Sequence, residues 1–295
     1  MFLAADLKGK NSSEILLWFE KNYEKQEKVF EIEVLKSDID SVGYKAFIDL
    51  AQLFFAKMLT PTQLKNDNIL LKFQKLNRDS SFHKTDKSSE KYGVESEFFN
   101  IDKTKQFSFL FHYKDALKNV HVKKKKRVLN LGINKGDEFK VIQEILSDEE
   151  FNSTKFVGID YSESAIEYAK KNFPQDNVEF TCEDINKLDE LNLGRFDLII
   201  SIGTLQSSNI NFNTTFMNIY QNHLEKGGAI ILGFPNCRWI DGEMIYGAKA
   251  PNYSFSELSL VLKDIHFCKK YLQQKKYRVM VTGKDYLFLT ARKIS

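Results

Sequence analysis

Residues 127–139 read Arg-Val-Leu-Asn-Leu-Gly-Ile-Asn-Lys-Gly-Asp-Glu-Phe, a short apolar run that passes straight into a glycine-bearing turn and then into a helical pattern. No other feature constrains the fold as much, because strand, glycine turn and helix in that order form the opening half of a βαβ unit in a parallel sheet. Gly132 allows a tight turn and a close approach to a ligand, and Gly136 opens the helix. A second apolar run ends in Asp160, a carboxylate placed to take both hydroxyls of a ribose. This is the layout of a nucleotide-cofactor cleft.

The rest of the chain extends the pattern. Strand-like runs recur at residues 156–161, 178–184, 195–201 and 227–233, and a closing pair stands at 277–281 and 286–290. Helical spacing of apolar residues predicts helices over 137–146, 162–172, 212–224 and 255–274, so strands and helices alternate as a parallel sheet requires. In this order the segments resemble the class I S-adenosylmethionine-dependent methyltransferases, and the resemblance extends over roughly residues 127 to 293. The antiparallel closing pair separates that fold from a true dinucleotide-binding one.

The resemblance implies S-adenosylmethionine as cofactor, held by Asn130, Gly132, Asn134, Gly136, Asp160, Tyr161, Asp184, Ile185 and Ser201, with Asp184 meeting the adenine amino group. Two positions depart from the family's pattern. Asn130 stands where the family usually has an acid, and Asn134 where it has a glycine. An amide can hydrogen-bond to the cofactor's amino-acid moiety but gives no negative charge to its ammonium group. Asn tolerates a left-handed backbone, so the turn survives at 134.

Length and composition bound the alternatives. The 295 residues suffice for one large or two modest domains, and 42% hydrophobic content builds ordinary cores. A net charge of +3, left from 43 basic and 40 acidic side chains, creates no global field that recruits nucleic acid. Cys182, Cys237 and Cys268 show no paired spacing and fit a reducing compartment. With no apolar run of membrane-spanning length and no basic leader before an apolar core, a cytoplasmic protein without membrane partners is predicted. His83, His112, His121, His223 and His266 form no metal-ligand spacing, so no metal is expected, and His112 alone is a candidate for the cleft.

Residues 1–78 read as a separate two-layer α/β sandwich: strand 2–7, helix 12–22, strand 29–36, helix 43–59 and strand 69–76. The run Asp-Leu-Lys-Gly-Lys-Asn-Ser-Ser-Glu at 6–14 resembles the opening of the TusA-like sulfur-carrier family, with Ser12 and Ser13 in the places of its cysteine and proline. A hydroxyl carries no persulfide, so sulfur transfer is excluded and Ser12 or Asn11 is expected to cap the helix. Docking or dimerisation is the role left to this unit. Residues 79–102 are polar and read as a linker, and 107–120 as a helix leading into the methyltransferase domain, 127–295. The basic run 123–127 reads as a solvated cluster before a buried strand rather than as a nucleic-acid site. The predicted fold class is thus α/β, a Rossmann-like doubly wound methyltransferase sheet with a small sandwich domain before it.

The acceptor side is read from two segments. After the fourth strand, Ser201-Ile-Gly-Thr-Leu-Gln differs from the Asn/Asp-Pro-Pro-aromatic form used on exocyclic amines of bases, so Gly203, Thr204 and Gln206 are expected to line a methyl channel for other acceptors. After the fifth strand, residues 236–253 form an insertion at the ligand-binding edge of the sheet, predicted to be a lid in which Asn236, Arg238 and Trp239 hold the substrate and Glu243 or Tyr246 takes a proton. Cys237 stands where some RNA cytosine-5 methyltransferases keep a nucleophile, yet the acid they need has no counterpart. Two functions stay open. One is methyl transfer to an O, N or carboxylate acceptor, either a small molecule or a modified tRNA nucleoside; the other is a cofactor-binding protein without turnover that contacts RNA or a protein. A homodimer fits either.

Overall fold

The computed structural model describes residues 4–78, 93–96, 99–248 and 257–294. Several sequence expectations fall outside these residues: the start of strand 2–7, most of the linker, His83, the end of the lid at 249–253 and the first residues of helix 255–274. The chain divides into two compact units, Met1–Ser81 with Trp239–Ile245, and Phe82–Arg238 with Tyr246–Ser295.

The first unit is built from β1 (Ala5–Asp6), α1 (Ser12–Asn22), β2 (Val29–Leu35), α2 (Lys36–Leu53), β3 (Ala56–Met58), β4 (Thr62–Gln63) and β5 (Asn68–Lys75). β1 runs parallel to β2, β2 antiparallel to β5, and β3 and β4 both pair with β5. Strict alternation drives this pairing, since Phe30, Ile32 and Val34 of β2 and Ile69, Leu71 and Phe73 of β5 are buried while their neighbours face outward. Asn11 caps α1 in a capping box: its Oδ1 accepts from the Glu14 N–H at 3.0 Å, and Glu14 Oε2 accepts from the Asn11 N–H at 2.9 Å.

The second helix starts seven residues before the predicted 43–59 and stops six short. Asp38 explains the early start, because its Oδ2 accepts from the N–H groups of Leu35 (2.9 Å) and Gly9 (3.0 Å) and so caps a first segment. Gly43 (φ 76°, ψ 159°) then breaks the helix. Phe55, at φ 58°, turns the chain into β3, whose pairing with β5 overrides the helical spacing of 56–59.

The second unit begins with α3 (Phe107–Asn119) and continues through β6 (Arg127–Leu131), α4 (Asp137–Ile145), α5 (Asp148–Asn152), β7 (Lys155–Asp160), α6 (Glu163–Asn172), β8 (Val178–Cys182), β9 (Phe196–Ile202), α7 (Phe212–Asn218) and β10 (Leu224–Pro235). After the short strands β11 (Cys237–Ile240) and β12 (Glu243–Tyr246), it closes with α8 (Ser259–Gln274), β13 (Tyr277–Gly283) and β14 (Tyr286–Lys293). Its sheet has the order β13-β14-β10-β9-β6-β7-β8, with the five central and edge strands from β6 to β10 parallel and β13 and β14 antiparallel. Neighbours on β14 point to opposite faces: the Phe288 ring meets Phe109 and Tyr113 of α3 at 5.4 and 5.9 Å, while Leu289 joins Cys268 and Leu272 of α8 in one core. Helices therefore cover both faces.

The chain winds outward from β6 in two directions, through β7 and β8 on one side and β9 and β10 on the other. Open α/β sheets place ligands in the crevice where the strand order reverses, here between β6 and β9. Helix 212–224 is shorter than predicted, since α7 ends at Asn218 and a π turn, Ile219–His223, leads into β10. The basic run before β6 is absorbed locally. The Asp197 carboxylate accepts from the N–H groups of Lys126 and Arg127, and the Arg127 guanidinium donates to the Leu193 carbonyl.

The segment read as an irregular lid contains a hairpin. Asp241 and Gly242 both have positive φ, 50° and 76°, in the two-residue turn that joins β11 to β12. Its tip, Trp239–Ile245, is part of the first unit, where Ile240 and Ile245 pack with Leu76 and Phe55. Gln52 Nε2 donates to the Met244 carbonyl there, and Lys57 Nζ lies 3.2 Å from Glu243 Oε1. The second unit is thus interrupted between Arg238 and Tyr246, and the hairpin tip between them groups with the first unit.

Candidate active site

The turn after β6 is fixed by backbone geometry. The N–H groups of Gly132 and Ile133 both donate to the Ile159 carbonyl, at 2.8 and 3.0 Å, and Gly136 (φ 93°) is the N-cap of α4. At Gly132 (φ 77°) a Cβ would stand 1.9 Å from Thr204 Oγ1. The glycine therefore serves more than ligand approach: it lets the turn after β9 lie directly against the turn after β6. Asn134 adopts φ 47°, the left-handed conformation its residue type tolerates.

Asp160 is buried at the end of β7, where Oδ2 accepts from the Asn134 N–H (2.8 Å) and Oδ1 from the Ser162 N–H (3.1 Å). Burial pushes its pKa up against these bonds. A carboxylate has about four acceptor positions, so these two bonds and a third from the Tyr161 N–H still leave it room to accept. Asp184 Oδ1 accepts from the Asn186 N–H at 2.9 Å and caps the 3-10 turn Ile185–Leu191, in which Ile185 is a core residue. Ser201 is buried, and its hydroxyl donates to the Leu131 carbonyl, tying β9 to β6. Tyr161 stands at the rim, 55% exposed. Asn130 is buried at 1% exposure, and both Oδ1 and Nδ2 lack a partner among the described residues.

A group missed by the sequence reading sits beside this turn. Lys103, just after the linker, forms a 2.6 Å ion pair with the buried Glu138 on the first turn of α4. Burial works to lower the Lys103 pKa, but the Glu138 carboxylate outweighs it and holds the ammonium charged. Lys135 Nζ donates to the carbonyls of Phe99 (2.8 Å) and Ile101 (3.2 Å) and pins the same segment to the turn. Burial, reinforced by Glu138, pushes Asp137 up to about 6. The available signal was the Asp-Glu pair right after Gly136, acids in a first helical turn, which the motif reading passed over.

On the other side, Gly203 (φ 76°) donates to the Gly233 carbonyl at 2.9 Å, and its Cα faces the Pro235 ring. Thr204 and Gln206 follow in a tight turn closed by the Ser207 N–H on the Thr204 carbonyl, with Gln206 exposed. Asn236 is buried; its Nδ2 donates to the Lys284 carbonyl at 3.1 Å and its Oδ1 has no partner among the described residues. Its N–H donates to the carbonyl of Asp285, a buried acid that the sequence reading missed and whose Oδ2 accepts from Ser108 Oγ at 2.6 Å. Burial pushes Cys237 up to about 12, so its thiol stays protonated, in keeping with the rejected nucleophile. Arg238 and Tyr246 belong to this unit, whereas Trp239, buried, and Glu243, paired with Lys57, belong to the first. His112 lies on α3 against Phe111.

Together the second unit lines up polar strand ends along one edge of its sheet, from Asp160 through Asn130 and Thr204 to Asn236. The arrangement fits a ligand with a ribose and a polar amino-acid end: an acid with free acceptor positions, a glycine turn and buried amide atoms awaiting partners. Among the described residues no helix is long and apolar enough to cross a membrane, and no three His, Cys, Asp or Glu side chains gather to hold a metal ion.

The model of a methyltransferase domain family matches residues 122–282, more than half of the chain. No curated protein matches it. Solved structures with a similar fold include coclaurine N-methyltransferase bound to N-methylheliamine and SAH (18% identity, TM-score 0.36), where 43% of this chain covers only 36% of that one. Others are the plantazolicin methyltransferase BpumL with SAH (11% identity, TM-score 0.47, 70% of this chain and 94% of that one) and the N-methyltransferase NodS from Bradyrhizobium japonicum with SAH (15% identity, TM-score 0.47, 70% and 97%). The chain belongs to the methyltransferase domain family.

Proposed function

We propose that the second unit transfers a methyl group to an oxygen, nitrogen or carboxylate acceptor that enters between the turn at Gly203, Thr204 and Gln206 and the residues that follow β10, Asn236 and Arg238. The observation that carries this reading is the direct contact of Thr204 with Gly132, which sets the acceptor turn against the cofactor turn. The bound cofactor supplies an electrophilic methyl on a sulfonium, whose S–C bond breaks as the acceptor lone pair forms the new bond. The protein's task is mainly alignment.

In this reading Asp160 accepts the ribose hydroxyls, Asp184 and Tyr161 border the adenine, and the residues at 130, 132, 134 and 136 face the amino-acid end. Ile185 and Ser201, both buried, hold the strand ends in place rather than reaching a ligand. Asn236 Oδ1, with its orientation set by the Nδ2 bond, accepts a hydrogen bond from an N–H or O–H of the acceptor, and Arg238 pairs with an anionic group on it. Glu243, whose carboxylate pairs with Lys57, and the buried Trp239 belong to the first unit and take no role in this reaction. Tyr246, half exposed, keeps the proton-accepting role in this proposal.

The acceptor is either a small molecule or a modified tRNA nucleoside, the latter motivated by the sulfur-carrier-like opening of the first unit, whose relatives serve tRNA modification. Methyl-group transfer from labelled cofactor into fractionated small molecules or bulk tRNA separates the two. With the acceptor found, Arg238→Ala lowers turnover about tenfold or more while S-adenosylhomocysteine affinity stays within about twofold, as for loss of a charged hydrogen bond to the acceptor alone. Normal turnover by that variant would move the acceptor site elsewhere.

A further inference from the structure

The cofactor's amino-acid end carries an ammonium group, yet Asn130 offers it no charge. Asn130 keeps both side-chain polar atoms buried without a partner among the described residues, so it is a neutral group waiting on a ligand. A third buried polar atom of the same unit is in the same state. Glu138 Oε1 is taken by Lys103, but Oε2 has no hydrogen-bond partner among the described residues although the side chain is only 2% exposed.

A buried carboxylate oxygen left without a donor is costly, and one lysine pairing with the other oxygen does not relieve it. The site gathers negative charge beyond what the lysines return: Asp137 and Asp160 lie close enough for Glu138 to raise the pKa of each. Glu138 stands two residues after Gly136, on the helix that the glycine turn opens. Such a site calls for a further cation or donor at Glu138 Oε2. We propose that Glu138, positioned by Lys103, supplies the carboxylate for the cofactor's ammonium group, the charge having moved from strand β6 to the first turn of α4. This inference rests on the cofactor assignment and deepens it.

Calorimetric titration of the full chain with two probes tests it. S-adenosylhomocysteine carries the amino acid, and 5′-methylthioadenosine has the same nucleoside and sulfur without it. Glu138→Gln weakens S-adenosylhomocysteine binding by about tenfold or more, the range for a charge-assisted bond, and leaves 5′-methylthioadenosine within about twofold. Adding Asn130→Asp to that variant restores much of the loss. Unchanged affinity for S-adenosylhomocysteine, or equal loss for both probes, would overturn the proposal, the second outcome marking Glu138 as purely structural. Should Glu138→Gln fail to fold, Asn130→Asp alone decides: with the charge already present it gains less than about threefold, and a gain of about tenfold or more refutes the relocation. Binding of neither probe by the unmodified chain would instead remove the cofactor assignment and the proposal with it.

Discussion

The two units treat buried polar atoms in opposite ways. Among the described residues the first unit has no buried side-chain nitrogen or oxygen without a hydrogen-bond partner, and its interior is a cluster of aromatic rings around Phe19, which meets Phe30, Phe54 and Phe73 at 5.4 to 5.9 Å. The second unit does bury such atoms, some away from the candidate site on Arg127, Gln175, His223 and Thr282, and some on Asn130, Glu138 and Asn236 along the ends of its strands or the turn beside them. Leaving such groups unpaired costs free energy, and at the strand ends a ligand can complete them. The contrast separates a unit packed for its own stability from one shaped for a partner molecule.

The largest effect should come from breaking the satisfied side of this contrast. Phe19→Ala removes a fully buried ring and is expected to cost about 3–5 kcal/mol, read from denaturant unfolding of the full chain. A loss below about 1 kcal/mol would show that the aromatic cluster does not hold the first unit together.

On the other side, Asp160→Ala should weaken S-adenosylhomocysteine binding by about 1.5–3 kcal/mol, as for loss of hydrogen bonds to a charged group. Calorimetry giving equal affinities would remove Asp160 from the site, whatever the variant does to the Asn134 and Ser162 amides that it now satisfies.

A smaller effect is expected from the burial of Asp137 beside Glu138. The Asp137 pKa rises from an ordinary 3.8 to about 6 on folding, so the unfolded chain releases this proton first. Stability from this group is therefore highest below 3.8, falls as pH rises towards 6 and is level above. Asp137→Asn removes that slope and should be more stable than the native chain at pH 7 by about 1–2 kcal/mol, with the difference vanishing near pH 3. Thermal unfolding across that range checks it; parallel curves for the two proteins would mean Asp137 is not strained.

How much of this was legible depended on distance along the chain. The strand and glycine turn at 127–136, the acid at Asp160 and the alternating strands of the first unit follow from residues a few places apart. The hairpin is legible too, because Asp241-Gly242 between short apolar runs is a strong two-residue turn signal. Lys103, Asp285 and Ser108 carried no such mark. Each acquires its role from a residue far away in sequence, Glu138 for the first and one another for the other two.

By itself, then, the sequence determined the period of each element, the positions where the backbone must adopt positive φ, and the acids that end the strands, because these depend on local sterics and on which face of an element is apolar. Tertiary structure alone decided that Thr204 rests on Gly132, that Lys103 closes on Glu138, and that Ile240 and Ile245 of the hairpin tip pack with Leu76 and Phe55 in the first unit. The physical reason is that sheet order and helix packing set these meetings. Several arrangements satisfy the same local patterns, and burial and charge pairing over the whole chain select one of them.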